Sequence, residues 1–290
     1  MRTGDFGIDA ASLAGPLDAK LAAMREGGFA RVVVDARELV AHPGGLAAAL
    51  RCVGDGGLRV AGLSGLRDLE GLSGPWREQA FGHARTLLRL ARDAGAETLL
   101  LRASTLAHAD ADEAAVVADL RRLSTLAVPL GLRIGLEASP RARLVRTQAQ
   151  AWRLVERVDQ AGFGLVLDAG RWLDEGAPTD LVDDIDPRRL LMVRLWDALP
   201  EPSPPARESV PSAALRVFPG EGARDGPLSG LLRRLRDAGY GGDWIFTVEN
   251  GDPLPLPPAS VVERARRARQ WSGAGAIRRD LPVRRDAARR

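Results

Sequence analysis

Four short apolar runs constrain this chain more than any other feature: Arg133-Ile-Gly-Leu-Glu137, Gly164-Leu-Val-Leu-Asp168, Leu190-Leu-Met-Val-Arg194 and Trp244-Ile-Phe-Thr-Val-Glu249. Runs of this length and composition read as strands of a parallel sheet buried on both faces. Three finish on a carboxylate and one on a guanidinium. In a barrel of parallel strands the C-terminal ends converge on one face, where active sites sit. The sequence therefore predicts that three acids and an arginine meet in one pocket.

The rest of the chain alternates helix-like with strand-like segments. Strands are expected near residues 3–8 and over 31–35, 58–63 and 98–102. Helices are expected over 15–27, 45–53, 76–94, 111–130, 148–160, 179–184, 228–238 and 259–271. Alternation on this scale implies parallel strands joined by right-handed crossovers. Eight such units predict an α/β fold, a (β/α)8 TIM barrel over residues 1–272, followed by an Arg-rich tail over 273–290. No G-x-G-x-x-G follows a strand, which weighs against an open dinucleotide-binding sheet. The connection from Asp197 to Pro219 is long and proline-rich, and it leaves the face where the strand ends converge. A connection of that length is expected to serve as a lid or binding element.

Composition narrows the function classes. At 290 residues, 45% hydrophobic and 27% charged, the chain suits one barrel plus a tail. No apolar stretch approaches the roughly 18 residues needed to span a bilayer, and charges interrupt every apolar stretch near the start. Cys52 is the sole cysteine, so no internal disulfide forms and a reducing cytoplasm is expected. Net charge is only +3, and Lys20 is the sole lysine among 41 basic residues. Bases interleave with acids along the body of the chain, so no nucleic-acid stripe is expected there. The arginines from 278 to 290 read as a solvated, disordered tail. No membrane partner is expected, and a homo-oligomer is compatible with the sequence.

Several short motifs, taken in order, carry a resemblance. They are residues 62–71 (GLSGLRDLEG), 131–137 (GLRIGLE), 164–168 (GLVLD), 216–222 (RVFPGEG) and 237–243 (DAGYGGD) leading to Val248-Glu249-Asn250. Over residues 3–270 the chain resembles the xylose isomerase-like TIM barrels, the sugar phosphate isomerase/epimerase group. Within that group it is most similar to bacterial 3-dehydroshikimate dehydratases. The resemblance implies a divalent metal (Mn, Mg or Co) held by Glu, Asp, a His or Gln, and a final Glu. The matching positions are Glu137, Asp168, Arg194 and Glu249, so arginine stands where the neutral ligand is expected. The family also carries a His three residues after the strand-end Asp, and that position here is Arg171.

Both departures have chemical consequences. Arginine has no lone pair to donate and stays cationic, so Arg194 is expected to repel a metal and pair with the carboxylates in its place. Arg171 cannot act as a general base, which leaves Glu137 or Glu249 for that role. Arg67 and Arg216 match positions that bind the substrate carboxylate or hydroxyls in the dehydratases, and Arg102 matches more loosely. For all three, a surface salt bridge is the competing interpretation.

Of the three histidines, His108 is the one whose position after the fourth strand reaches the barrel mouth. The multi-His zinc cluster of the nuclease branch cannot be built from so few. The expected partner is a small anionic metabolite, polyhydroxylated or carbocyclic. It would be converted by lyase or isomerase chemistry through an enol or enolate, without a metal cofactor. Two alternatives are open: a non-catalytic ligand-binding barrel, and an ordinary metal-dependent sugar isomerase or epimerase.

Overall fold

The buried runs pair in chain order and close into a ring. The computed structural model describes residues 6–110, 112–177, 179–199, 215–248 and 256–277. The ring strands are β1 (Phe6–Asp9), β2 (Arg31–Asp35), β3 (Arg59–Arg67), β4 (Thr98–Arg102), β5 (Arg133–Glu137), β6 (Phe163–Asp168), β7 (Leu190–Leu195) and β10 (Asp243–Phe246). Every neighbouring pair is parallel, and β10 bonds back to β1. This is the (β/α)8 TIM barrel predicted from the alternation. Two further strands, β8 (Asp197–Ala198) and β9 (Arg216–Val217), form a small antiparallel ribbon at the barrel mouth. That ribbon gathers the two ends of the long connection predicted as a lid; residues 200–214 between them lie outside the described residues.

Side chains alternate between two cores, as strand geometry requires. Val33, Ala61, Leu100, Val166, Met192 and Ile245 fill the barrel interior. The alternate positions, Val32 and Val34 among them, join a larger outer layer packed against the helices. Space inside is tight. A Cβ on Gly135 would lie 2.6 Å from Val166 Cγ2 and 3.1 Å from Thr98 Cγ2. Glycine at this position is what admits the bulkier neighbours.

The helices are α1 (Leu17–Glu26), α2 (Ala36–Val40), α3 (Gly45–Asp55), α4 (Gly74–Asp93), α5 (Glu113–Ala127), α6 (Gln148–Val158), α7 (Ala169–Asp174), α8 (Asp225–Asp237) and α9 (Pro258–Ile277). Among these described residues, no helix is long and apolar enough to cross a membrane.

Three expectations need correction, and helix α7 was not anticipated. Residues 179–184 form a 3-10 helix rather than an α-helix, because the segment is short and closes through the i→i+3 bond from Ile185 N–H to Val182 C=O. The α-helix of that unit is α7, which follows β6 without a linker and is too short to show a periodic pattern. Strand β3 runs on through Arg67, past the predicted end at residue 63; a register shift and Gly65 at φ 126° carry it over an irregularity. Helix α9 extends to Ile277, beyond the predicted boundary at 272, and the tail from 278 onward lies outside the described residues.

The segment after β3 is pinned by three acids, Asp119 and Glu70 buried and Asp68 half-buried. Asp119 accepts from the Gly71 N–H at 3.1 Å and from Arg77 Nε at 2.7 Å. Asp68, in the left-handed region at φ 54°, accepts from the Thr105 N–H at 2.8 Å. Glu70 is buried and accepts from the Ser104 N–H. Burial pushes the Glu70 carboxyl up to about 7, with Asp68 and Asp119 adding to the rise and the Ser104 bond opposing it.

Two outcomes follow from this packing. Gly135→Ala forces a methyl against β-branched neighbours that cannot yield, and is expected to cost about 1–3 kcal/mol, read as a lowered thermal midpoint. Glu70 has a folded-state pKa above its ordinary 4.5, so it contributes no penalty below about pH 4.5 and a full one above about pH 7. Between pH 4 and pH 8, the stability of Glu70→Gln relative to the wild type is therefore expected to rise by about 3 kcal/mol. Urea titrations at the two pH values check it; an unchanged difference would refute a neutral Glu70 at pH 6.

Candidate functional site at the barrel mouth

Four strands end on an acid: Asp9 on β1, Asp35 on β2, Glu137 on β5 and Asp168 on β6. Three of them turn the chain into the next helix. Asp9 accepts from the Ala11 N–H at 3.1 Å, Asp35 from the Arg37 N–H at 2.7 Å and Asp168 from the Arg171 N–H at 3.0 Å. Each is a side-chain cap on a helix start. Burial raises the Asp35 carboxyl, but bonds from Arg37 and Ser64 outweigh it and hold it below the usual range.

Arg194, near the end of β7, is 6% exposed and faces Asp9 (2%) and Glu137 (8%). Its Nη2 bonds Asp9 Oδ2, and its Nη1 lies 2.8 Å from Glu137 Oε1. β1 and β5 each stand two strands from β7, on opposite sides. One guanidinium therefore ties the mouth together across the ring. Glu137 also lies 3.7 Å from Arg102 Nε.

The sequence anticipated Glu137 as a partner of Arg194, but it also anticipated Asp168, which bonds elsewhere. Asp168 Oδ1 accepts from Trp196 Nε1 at 2.5 Å as well as from the Arg171 N–H, and Oδ2 lies 3.7 Å from Arg171 Nε. Trp196 is itself held in place. A Cβ on Gly170 would lie 2.2 Å from its ring, and the guanidinium of Arg216 stacks 4.4 Å from its centroid.

Two cavities open at this face. The larger, about 220 Å³, is lined by Arg102, Glu137, Asp168, Arg171, Arg194 and Arg216, and also by Ser139, Arg141 and Gln148. The smaller, about 40 Å³, is lined by Asp9, Asp35, Ser64, Arg67, Arg102, Glu137 and Arg194. They share Arg102, Glu137 and Arg194, so the ion-paired chain forms the partition between them. A wider depression of about 620 Å³ near Asp183 and Arg233 lies on the helical flank, away from the strand ends.

The candidate residues thus divide. Glu137, Asp168, Arg171, Arg194, Arg102 and Arg216 gather around the larger cavity. Arg67 stands on the other side of the partition, so Arg67 and Arg216 do not face one chamber as the sequence suggested. His108 is exposed, 6.1 Å from the Trp76 ring, and lines neither cavity. Glu249 lies outside the described residues. Among the described residues, no group of three or more His, Cys, Asp or Glu side chains is gathered closely enough to hold a metal.

Sequence inspection missed Asp9, Gln148 and Arg141. Asp9 was within reach, because β1 also finishes on a carboxylate and its predicted end at residue 8 fell one residue short. The others sit in loops or at a helix start, where no periodic pattern marks them.

The sequence matches the xylose isomerase-like TIM barrel family over residues 22–271. Among curated proteins the chain is similar to the 3-dehydroshikimate dehydratase of Pseudomonas aeruginosa, at 33% identity over 244 residues, and to that of Pseudomonas putida, at 30% over 243 residues. Each alignment takes in 84% of this chain and 38% of the relative, so the chain spans about two fifths of the length of the curated relatives it matches. Among solved structures, it superposes on a xylose isomerase-like TIM barrel/4-hydroxyphenylpyruvate dioxygenase fusion protein with a TM-score of 0.82. Identity there is 27%, covering 91% of this chain and 42% of that one. It is similar in fold to an IOLI protein with a bound zinc atom, at a TM-score of 0.78 and 16% identity over 93% of this chain and 98% of that one. By this match, the chain belongs to the xylose isomerase-like TIM barrel family.

Proposed function

We propose that the barrel is a lyase of the 3-dehydroshikimate dehydratase kind, acting on a small carbocyclic or polyhydroxylated anion, with Arg194 in the position a divalent metal takes in relatives. One observation carries this reading: Arg194 bonds Asp9 and lies 2.8 Å from Glu137 at the strand ends of a barrel 33% identical to a dehydratase.

The donor set argues against a metal. A hard divalent cation requires uncommitted carboxylate oxygens. Glu137 is engaged by Arg194 and approached by Arg102, while Asp168 serves Trp196 and the α7 cap. The Arg194 guanidinium beside Asp9 and Glu137 repels a cation there, and among the described residues no cluster of three or more His, Cys, Asp or Glu side chains offers it ligands.

In such a dehydration a base removes the proton α to the ketone. The C–H electron pair forms an enolate, which collapses with loss of the β-hydroxyl, and the departing oxygen takes up a proton to leave as water. The charge that develops on the ketone oxygen is met in the larger cavity by Arg171 and Arg194, whose orientation is set before reaction. Arg216, stacked on Trp196, adds positive charge on the same side. Glu137 and Glu249 are the base candidates. The two guanidiniums beside Glu137 hold it in ion pairs, which restrains its approach to a substrate proton. That same restraint supports a second reading, a barrel that binds the anion without converting it.

Protein stripped with chelator is expected to convert 3-dehydroshikimate, followed by the ultraviolet absorbance of the aromatic product, with no gain on adding Mn²⁺, Mg²⁺ or Co²⁺. Turnover that appears only with metal would overturn the arginine role, and binding without turnover in every condition would favour the second reading. Arg194→Met removes the guanidinium that pairs with two buried carboxylates and is expected to cost about 3–5 kcal/mol, measured by chemical denaturation. A loss below about 1 kcal/mol, the scale of a surface pair, would contradict the buried bridge.

A further inference from the structure

The larger cavity holds two groups that the proposed chemistry leaves unused. Gln148, the first residue of α6, is fully buried and fixed from two directions. Its backbone N–H donates to Glu175 Oε2 at 2.9 Å, and its side-chain Oε1 accepts from the Asp168 N–H at 3.1 Å. With the carbonyl end committed, Nε2 is the free donor end, and it is buried without an acceptor. Leaving such a donor unsatisfied is costly, and most buried polar groups have a partner. Of the carboxylates that share the cavity, Glu137 is ion-paired with Arg194 but its Oε1 has no hydrogen bond, and Asp168 serves Trp196 and the α7 cap.

Arg141 is the second group. It lies between β5 and α6 on an exposed stretch, lines the same cavity, and has no ion pair among the described residues. Among the described residues that line the cavity, the charged side chains are Arg102, Arg141, Arg171, Arg194, Arg216, Glu137 and Asp168, and Arg194 also pairs with Asp9. The excess is cationic. The volume, about 220 Å³, equals roughly that of seven liquid waters and suits a small organic acid.

We infer that Gln148 and Arg141 form a carboxylate subsite, in which Nε2 donates to one oxygen of the ligand's carboxylate and the Arg141 guanidinium binds the group as its counter-ion. This rests on the reading that the barrel takes a small anion, and it names the groups that hold that anion's carboxylate. A neutral amide fixed by the fold sets orientation, while an exposed guanidinium on the cavity lining supplies attraction. The ligand's ketone end is then left to Arg171 and Arg194.

Calorimetric titration with shikimate, and with its uncharged methyl ester as control, tests the subsite. The wild type is expected to prefer shikimate. Arg141→Gln is expected to weaken shikimate binding about tenfold, to leave the ester unaffected and to flatten the salt dependence, with Arg141→Lys recovering part of the loss. Gln148→Glu keeps the oxygen that accepts from the Asp168 N–H but replaces the donor with a second acceptor. The buried carboxylate it introduces is expected to lower the thermal midpoint, so affinity is read at a temperature where circular dichroism shows the variant folded, and the loss is expected to reach tenfold or more.

Wild-type affinity in either Arg141→Gln or Gln148→Glu, equal losses for acid and ester, or no shikimate binding by the wild type would each overturn the subsite. The two proposals also fail separately. Shikimate binding that depends on both residues, without turnover of dehydroshikimate, keeps the subsite and sinks the lyase. Turnover with KM unchanged in both variants does the reverse.

Discussion

The contact of Arg194 with Asp9 and Glu137 fixes the open end of this barrel. Three charges sit where water scarcely reaches, and none is tolerable alone. Burying a single ion costs several kcal/mol, repaid only when its partners are close and well placed. Because β1, β5 and β7 are separated around the ring, the bridge closes a span that ladder hydrogen bonds between adjacent strands do not cross. The same side chains divide the mouth into a roomy cationic cavity and a narrow one. Charge balance, strand anchoring and cavity shape therefore depend on one guanidinium.

Strand-end acids do two kinds of work here. Asp9, Asp35 and Asp168 each accept a backbone N–H from the residues that begin the next helical turn, which is a local task. Among the described residues, Glu137 caps no helix and its charged partners are the guanidiniums of Arg194 and Arg102. Asp9 does both, one oxygen capping and the other meeting Arg194. An acid at the end of a barrel strand is thus not by itself a ligand to metal or substrate. What distinguishes Glu137 is that its oxygens are directed at charges rather than at the chain's own amides.

Most of the architecture was legible in the sequence because it rests on local chemistry. Buried parallel strands read as apolar runs, and glycine or proline punctuates them. What escaped were features set by tertiary context. Strand β3 outlasts its glycines through an irregularity, and α7 is recruited by the Asp168 cap within a segment too short to show a period. At the site, the residues ending strands β5, β6 and β7 were visible because register delivers them to one face. The choice of Asp9 over Asp168 as the partner of Arg194 was not, since it depends on Trp196 claiming Asp168. Gln148 and Arg141 were equally hidden: a helix-start amide and a loop arginine carry no pattern, and only the closed ring brings them to the cavity.

The central claim is that a side chain occupies the place of a divalent ion, and anomalous scattering tests it most directly. Crystals grown in excess Mn²⁺ and measured near the manganese edge are predicted to show no anomalous peak between Glu137 and Asp168, with the Arg194 guanidinium lying against Asp9 and Glu137. A strong peak coordinated by Glu137, Asp168 and Glu249, with Arg194 turned away, would contradict it.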